Sequence, residues 1–252
     1  MSRRATVLAY HSVGECARSD DPNRLFVRSA AFAAQMEFLA RYRRVIALKD
    51  INRMLPKGKP AVAITFDDGY RDVLQHAVPI LEDYGFPATV FVPTKYIGDR
   101  NRWDPPYRCP LEIMSVDELR EAEARGLAVE SHGHAHRNLA HANEGIALDD
   151  ISTSIAILSH LLGREVRYLA YPYGVSSETA QRAAAAAGLE CAFTTNRLGT
   201  GPLDRARITV TPYDRLRVYR LKTAGYYCAM RYSRAGTRLT EPLRAVARRT
   251  RN

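Results

Sequence analysis

The chain of 252 residues has a formal net charge of +10, with 46% hydrophobic and 25% charged residues. This length suits one domain with a full core, and the composition is that of a globular protein rather than a disordered or fibrous one. No window of 18 uncharged apolar residues occurs and the first apolar run is too short for a signal peptide, so we expect a cytoplasmic protein without a transmembrane helix.

The positive charge is concentrated at the C-terminal end. Residues 213–252 contain eleven lysines or arginines against two acidic residues, a balance of +9, which leaves +1 for residues 1–212. The sequence therefore predicts a nearly neutral body at 1–212 and a basic C-terminal extension at 213–252. The extension either forms a terminal helix packed on the body with its arginines solvated or docks an anionic membrane surface, and no nucleic-acid-binding motif accompanies it.

Short apolar runs alternate with helical patterns along most of the chain. The runs that predict strands lie at 6–10, 45–48, 61–66, 88–93, 127–131, 168–172, 191–195 and 207–210. The patterns that predict helices begin at Ser29, after Gly69, at Ser115, near residue 151 and at Ser176, with a helical turn at 50–55. This alternation predicts a parallel α/β architecture with its site at the C-terminal ends of the strands.

Two of the connections contain a distinctive residue. Pro79 lacks an amide donor and is expected to kink or divide the helix that follows Gly69. The long loop 94–110 holds the only tryptophan, Trp103, which either lines a sugar-binding groove or covers the edge of the core.

The four cysteines are scattered without a Cys-x-x-Cys pair, which favours reduced thiols.

Two adjacent carboxylates and a glycine end the third predicted strand, at Asp67, Asp68 and Gly69. Buried carboxylates repel each other and each needs a cation or a hydrogen bond, so a metal ion is an expected partner. Neighbouring side chains on a strand point to opposite faces, so both acids serve one site only if the strand breaks there, and glycine permits that break. The alternative is an ordinary polar turn.

Three of the seven histidines follow the fifth predicted strand, at His132, His134 and His136. Neutral imidazole is the commonest zinc ligand, and two histidines with one carboxylate leave a coordination position open for water, as in catalytic sites. If the strand continues, all three share one face and form a three-histidine site, whereas a loop starting at Gly133 releases His134. We expect the loop.

Three segments carry a resemblance to a known family: 65–70 (TFDDGY), 131–136 (SHGHAH) and 169–174 (LAYPYG). They are similar to the first three motifs of the polysaccharide deacetylases, carbohydrate esterase family 4, and the resemblance covers roughly residues 5–212. It implies a distorted (β/α) barrel with about seven parallel strands in a single domain. It also implies a divalent metal, usually zinc, and hydrolysis of an N-acyl or O-acyl group from a sugar.

The resemblance assigns roles by position. Asp67 matches the general base, and Asp68, His132 and His136 match the metal ligands. The backbone amide of Tyr173 is expected to stabilise the oxyanion.

The substrate is expected to contact residues on two segments. Trp103, on the long loop, is expected to line the sugar site. Tyr171 and Pro172, beside the oxyanion residue, complete the predicted substrate-binding set.

Two departures from the family pattern bear on substrate and acid. The third motif often carries an arginine that orients the base, and here that position is Ala170. The late histidine that protonates the leaving amine has no counterpart after His160. A subgroup that resembles the biofilm poly-N-acetylglucosamine deacetylases has an early Tyr-His, matched by Tyr10 and His11, so we expect His11 to be the acid.

The predicted reaction is removal of an N-acetyl or other acyl group from an amino sugar in a polysaccharide, an oligosaccharide or a lipid-linked precursor at the inner face of the membrane. Two other functions stay open. A His-x-His pair at a strand end also resembles the amidohydrolase barrels, which place it on the first strand. The missing arginine would suit a non-catalytic carbohydrate-binding descendant.

Overall fold

The computed structural model describes residues 5–53, 58–103, 111–195 and 197–232. Its strands are β1 (Thr6–Tyr10), β2 (Ser12–Val13), β3 (Phe26–Val27), β4 (Arg44–Val45), β5 (Ala61–Phe66), β6 (Ala88–Val92), β7 (Leu127–Ser131), β8 (Tyr168–Ala170), β9 (Cys191–Thr195) and β10 (Arg205–Thr209). Its helices are α1 (Ser29–Tyr42), α2 (Val78–Asp83), α3 (Val116–Ala124), α4 (Glu144–Leu162), α5 (Glu178–Ala186), α6 (Leu216–Lys222) and α7 (Tyr227–Tyr232).

Seven parallel strands form a closed barrel. The strands β5 to β10 follow one another in chain order around the sheet, and β1 pairs with both β10 and β5 to close it. Strand β4 adds to β5 at the outside, and β2 and β3 form a separate pair. The predicted single-domain barrel of about seven parallel strands is confirmed.

The strands are buried on both faces, which explains their continuous apolar sequences. Along β5, Val62 and Ile64 join the cluster beneath the helices, whereas Ala61 and Ala63 join a second cluster with Phe91 in the interior of the barrel. Because side chains alternate along a strand, Thr65 and Asp67 continue the inward row. The end of β5 therefore directs a carboxylate into the barrel.

The predicted helix signals are confirmed at two places and wrong at one. A π-helical segment, Val73–Ala77, precedes α2 where Pro79 interrupts the amide ladder. Ser115 and Glu118 form the expected capping box of α3. Ser29 does not cap α1, because the N-cap residue is Arg28 and no side chain bonds there.

The first twenty residues of the predicted basic extension pack on the barrel. Tyr219 is fully buried and its hydroxyl lies 3.1 Å from that of Tyr10. Lys222 forms a buried ion pair with Asp214 and donates to the Thr209 carbonyl at 2.7 Å. Residues 213–232 are thus part of the folded domain, and Tyr219 and Lys222 are not surface groups; residues 233–252 lie outside the described part.

The cysteines differ from expectation. Cys16 is disulfide-bonded, so the prediction of reduced thiols is wrong for this residue, whereas Cys191 is free and buried. The side chains of Cys109 and Cys228 lie outside the described part of the chain.

Helix α4 is long and apolar enough, by length and composition alone, to cross a membrane. Ile151 and Leu158 on this helix are fully buried in the domain, and Ser154 bonds to the end of β7. A helix buried in the core of a domain can be as long and as apolar as one that crosses a membrane.

Asp72 ties the segment after β1 to the helix after β5. Its carboxyl group accepts a hydrogen bond from Ser12 Oγ and another from the Val13 amide at 3.4 Å. Burial raises the pKa of Asp72 to about 7, against the opposing effect of these hydrogen bonds. The folded protein therefore holds a proton on this carboxyl group at a pH where the unfolded chain has lost it.

The sign of the resulting pH dependence follows from linkage. Between about pH 4 and 7 the folded state binds more protons at Asp72 than the unfolded state, so the free energy of unfolding should fall by up to about 1.4 kcal/mol per pH unit from this group. We expect Asp72→Asn to remove this contribution. Urea unfolding of both proteins from pH 4 to 8 measures it; parallel curves would show that Asp72 has an ordinary pKa.

Candidate active site

Three of the predicted site residues converge at the C-terminal rim of the barrel. Asp68 follows β5, and His132 and His136 follow β7. Asp68 Oδ1 lies 3.3 Å from His132 Nε2 and 3.2 Å from His136 Nε2, and all three side chains are buried. One carboxylate oxygen and two imidazole nitrogens thus face a common point.

The backbone breaks where the sequence predicts. Asp68 and Gly69 both have left-handed backbones, with φ of 70° and 69°. This turns Asp68 away from the inward row that ends at Asp67, so the two neighbouring acids reach different partners. A Cβ at Gly69 would lie 3.0 Å from Val92 Cγ2, and the position accordingly requires glycine.

The hydrogen bonds at this point suit a cation. A carbonyl oxygen only accepts, so the 2.7 Å contact between His132 Nδ1 and the Ala170 oxygen places the proton on Nδ1 and leaves a lone pair on Nε2. Asp68 Oδ1 is buried and accepts no hydrogen bond. Convergent lone pairs of one carboxylate and two imidazoles are the donor set of a divalent metal such as zinc.

The charges at this site are strongly coupled. Burial would raise the pKa of Asp68, but the imidazoles of His132 and His136, when they are protonated in the absence of a metal, hold it well below its usual range. Asp68 is therefore a carboxylate at neutral pH, as a metal ligand must be.

His134 lies outside this group. Its Nδ1 is 2.9 Å from Thr94 Oγ1 and its side chain is half-buried. The chain leaves the strand at Gly133, with φ of 75°, as the loop interpretation predicts. The structure thus brings together Asp68, His132 and His136 without His134.

Asp67 is held by an arginine that the sequence analysis missed. Arg207, on β10, is fully buried and donates to both oxygens of Asp67, from Nη1 at 2.6 Å and from Nη2 at 2.8 Å. Its Nη1 also donates to Thr65 Oγ1 at 3.1 Å, and its guanidinium lies over the Phe91 ring. The orienting arginine absent at Ala170 is therefore replaced from another strand.

A signal for Arg207 was present in the sequence. An arginine in a predicted buried strand requires a carboxylate partner, because a buried unpaired charge is too costly. Ile208 packs beneath the helices, so Arg207 belongs to the inward row of β10.

The pKa of Asp67 reflects this pairing. Burial would raise the pKa of Asp67, but Arg207 and then His132 lower it below its ordinary value. The carboxylate is thus ionised and oriented beside the Asp68 group.

The three convergent residues form the floor of a cleft of about 200 Å³. Its other lining residues include His11, Asn23, Leu25, Asp67, Trp103, Tyr173 and Gly174. His11 follows β1 directly and shares the cleft with Asp67. The structure therefore places the predicted acid, base and metal ligands around one space.

Aromatic rings enclose His136. Trp103 stacks on it with ring centroids 4.1 Å apart, and Tyr173 meets it edge-on at 4.9 Å. Tyr173 is half exposed and has a left-handed backbone, with φ of 62°. Among the described non-glycine residues with left-handed backbones, only Arg24 lies apart from the cleft lining, where Asp68, His136 and Tyr173 are found.

Two predicted substrate residues do not reach the cleft. Tyr171 is fully buried in a core cluster, and its hydroxyl donates to the Leu203 carbonyl at 3.0 Å. Pro172 is buried as well and is not part of the cleft lining. Both positions fit a role in holding Tyr173 rather than in contacting a sugar, which corrects the sequence-based assignment.

The fold and the site define a parallel (β/α) barrel with an Asp-His-His group and a second, arginine-held carboxylate at the C-terminal rim. The chain belongs to the polysaccharide deacetylase family, whose family model matches residues 55–192.

Named relatives agree with this membership. The chain is 28% identical over 189 residues to a poly-beta-1,6-N-acetyl-D-glucosamine N-deacetylase of Staphylococcus aureus, an alignment that covers 70% of this chain and 63% of the relative. The chain thus spans about 63% of the length of the curated relatives it matches.

Two solved structures share the fold. The Streptococcus pyogenes deacetylase PplD, in complex with acetate, superposes with a TM-score of 0.74 at 23% identity, covering 87% of this chain and 97% of that one. IcaB from Ammonifex degensii superposes with a TM-score of 0.73 at 24% identity, covering 88% and 98%.

We expect Arg207→Met to impair both stability and catalysis. Removing one partner of a buried ion pair typically costs about 3–5 kcal/mol, because the other charge is left unpaired. Without the guanidinium, the effect of burial on Asp67 is opposed less strongly, so its pKa should rise and a smaller fraction of the carboxyl groups should be ionised at neutral pH. Denaturant unfolding and acetate release measure the two effects.

Arg205→Met is the matched control on the same strand, since Arg205 bonds to Asn52 and the Ile51 carbonyl outside the cleft. Adding Asp67→Asn to Arg207→Met should recover part of the lost stability because no unpaired carboxylate then remains. Equal losses in the two arginine variants would show that the ion pair has no special role.

Proposed function

We propose that the protein is a metal-dependent N-deacetylase that removes acetyl groups from N-acetylglucosamine units of a polysaccharide or oligosaccharide. The observation that carries the proposal is the convergence of Asp68, His132 and His136 beside an arginine-paired Asp67 in one cleft. His11 lines the same cleft, and histidine is the side chain that most often acts as a general acid or base in enzymes.

The relatives support the class of substrate. The Staphylococcus aureus protein is named for poly-β-1,6-N-acetylglucosamine, and PplD holds acetate, the product of deacetylation. A lipid-linked sugar precursor belongs to the same chemical class, since it presents the same N-acetyl group. An amidohydrolase function fits less well, because the histidine pair follows β7 rather than the first strand.

Each of the residues at the cleft has a separate proposed role in the hydrolysis of an amide. A divalent ion such as Zn²⁺, held by Asp68, His132 and His136, would lower the pKa of a water molecule and polarise the amide carbonyl. Asp67 accepts the proton of the attacking water, and Arg207 keeps its carboxylate ionised and fixed in direction.

The tetrahedral oxyanion and the leaving amine need hydrogen-bond and proton donors. The backbone amide of Tyr173, in a left-handed turn at the cleft, is proposed to donate to the oxyanion. His11 is proposed to protonate the leaving amine from the end of β1, the strand that pairs with β5. Trp103 offers an aromatic wall on which a sugar ring can lie.

Separate roles for the adjacent acids give distinct variant phenotypes. Asp68→Ala and His132→Ala should lose bound zinc and activity together, whereas Asp67→Asn should keep zinc and lose about 10²–10⁴-fold in rate. Metal analysis and acetate release from poly-β-1,6-N-acetylglucosamine fragments, chitooligosaccharides and lipid-linked sugars provide the two readouts.

His134→Ala is the control, because His134 bonds to Thr94 outside the group and should leave zinc stoichiometry unchanged. If the purified chain binds zinc yet releases no acetate from any of these sugars, the proposed reaction is wrong. Loss of zinc in Asp67→Asn with retention in Asp68→Asn would reverse the two roles.

We also propose that the outward face of α6 docks an anionic membrane surface. Leu216, Val218 and Leu221 are more than one-third exposed, and the exposed Arg217 and Arg220 lie between them. Arginines can contact lipid phosphates while the apolar side chains enter the interface, at about 1 kcal/mol for each basic residue.

Deleting the C-terminal segment would remove the buried Tyr219 and Lys222, so substitutions are the better test. Arg217→Glu with Leu221→Ser should reduce sedimentation with anionic vesicles at low salt, and neutral vesicles should not bind either protein. Arg120→Glu, at an exposed arginine on α3, is the control. Undiminished sedimentation of the double variant would exclude α6 as the docking face.

A further inference from the structure

A carboxylate on α4 holds the loop that joins the two histidines of the metal group. Asp150 is buried, and its Oδ1 accepts from the His134 amide at 2.7 Å while its Oδ2 accepts from the Ala135 amide at 3.0 Å. These two amides belong to the three residues between His132 and His136. One side chain thus fixes the middle of the connection between two convergent imidazoles.

The loop is shaped around this carboxylate. Gly133 has φ of 75°, and a Cβ there would lie 2.6 Å from Asp150 Oδ1, so only glycine allows the approach. His136 then adopts a left-handed backbone, with φ of 50°, which is unfavourable for a residue with a side chain. The two hydrogen bonds to Asp150 fix the backbone immediately before this position, at His134 and Ala135.

A second residue one turn along the same helix holds the other end of the connection. Ser154 Oγ lies 2.8 Å from Ser131 Oγ, which in turn accepts from the Gly133 amide at 3.1 Å. Helix α4 therefore forms hydrogen bonds on both sides of His132, with the end of β7 through Ser154 and with the loop through Asp150.

Side chains other than Asp150 hold the residues that follow His136. The segment after His136 is capped independently, since Asn138 Oδ1 accepts from the Ala140 amide and Asn143 Oδ1 accepts from the Ile146 amide. The partners of Asp150 are confined to the stretch between the two histidines, apart from a longer 3.8 Å approach of the exposed Arg137.

We propose that Asp150 is a positioning residue of the metal site, which sets the direction of His136 toward Asp68 and thereby the affinity for the metal. The inference rests on the proposed function, because it concerns the same Asp-His-His group. Asp150 contacts neither Asp68 nor the imidazoles through any hydrogen bond of the described structure, and it acts through the backbone amides of His134 and Ala135.

The test is the zinc affinity of Asp150→Asn in the full chain, measured by competition with a chromophoric chelator. Asparagine keeps one acceptor but directs an NH2 group at an amide N–H, so one of the two bonds is lost. Residues that orient metal ligands typically contribute 10–100-fold to metal affinity, and we expect a loss in that range. The visible absorption of the cobalt(II) protein should change as well, since it reports ligand geometry.

Asp21→Asn is the matched control. Asp21 is also buried, and its two oxygens accept from the consecutive amides of Leu25 and Phe26 at 2.8 and 3.1 Å, on a loop that carries none of the three proposed ligands. The two substitutions should cost similar melting temperature in the metal-free proteins. Only Asp150→Asn should weaken zinc binding and alter the cobalt spectrum.

Gly133→Ala gives a second measurement in case Asp150→Asn does not fold. It should weaken zinc binding through the same contact, and the double variant should be no weaker than the poorer single variant. Wild-type zinc affinity in Asp150→Asn or Gly133→Ala, or an equal loss in Asp21→Asn, would overturn the inference while leaving the proposed function standing. Absence of zinc binding by the unaltered chain would overturn both.

Discussion

Two neighbouring buried carboxylates can coexist at one strand end only if each has its own positive partner. The structure meets this constraint by turning the backbone at Asp68, so that Asp67 continues into the barrel to Arg207 while Asp68 joins His132 and His136 in a group that could hold a divalent cation. Burying charges is costly, and neither acid would be tolerated without its partner. The arginine partner of Asp67 comes from β10, so the orientation of this carboxylate depends on barrel closure as well as on its own strand.

The arginine and the histidine that the family pattern leads one to expect are both present, but each comes from a different strand of the barrel. The arginine absent from the segment around Ala170 is provided by Arg207, and the candidate acid His11 follows the first strand rather than a late one. Both strands neighbour each other through the β1–β10 pairing. What the site requires is a guanidinium and an imidazole at particular places on the rim, and different strands can deliver them. The missing arginine therefore gives no support to a non-catalytic descendant.

Much of the fold could be predicted from the sequence because the barrel strands are short, apolar and separated by clear helix signals. The bounds of β7 and β9 and the loop at Gly133 are as expected. Three features required tertiary information. Arg207 was not paired with Asp67 because their sequence separation is 140 residues. Tyr171 was assigned to substrate because its motif neighbour faces the cleft, although the side chain points into the core. The pattern of residues 213–222 leaves open whether they pack on the domain or face a membrane, and only the structure shows that Tyr219 and Lys222 are buried.

The ligand residues are oriented by contacts within the protein. The Ala170 carbonyl fixes the tautomer of His132, and Trp103 stacks on His136. Protein contacts of this kind set the direction of the two imidazoles themselves, in contrast to small domains that are unfolded without their metal. The proposed ion would then bind to side chains whose direction is already set. The identity of the bound ion would depend on which divalent metals the compartment supplies and on their order of affinity for nitrogen and oxygen ligands. The same polypeptide could then exchange one metal for another without refolding.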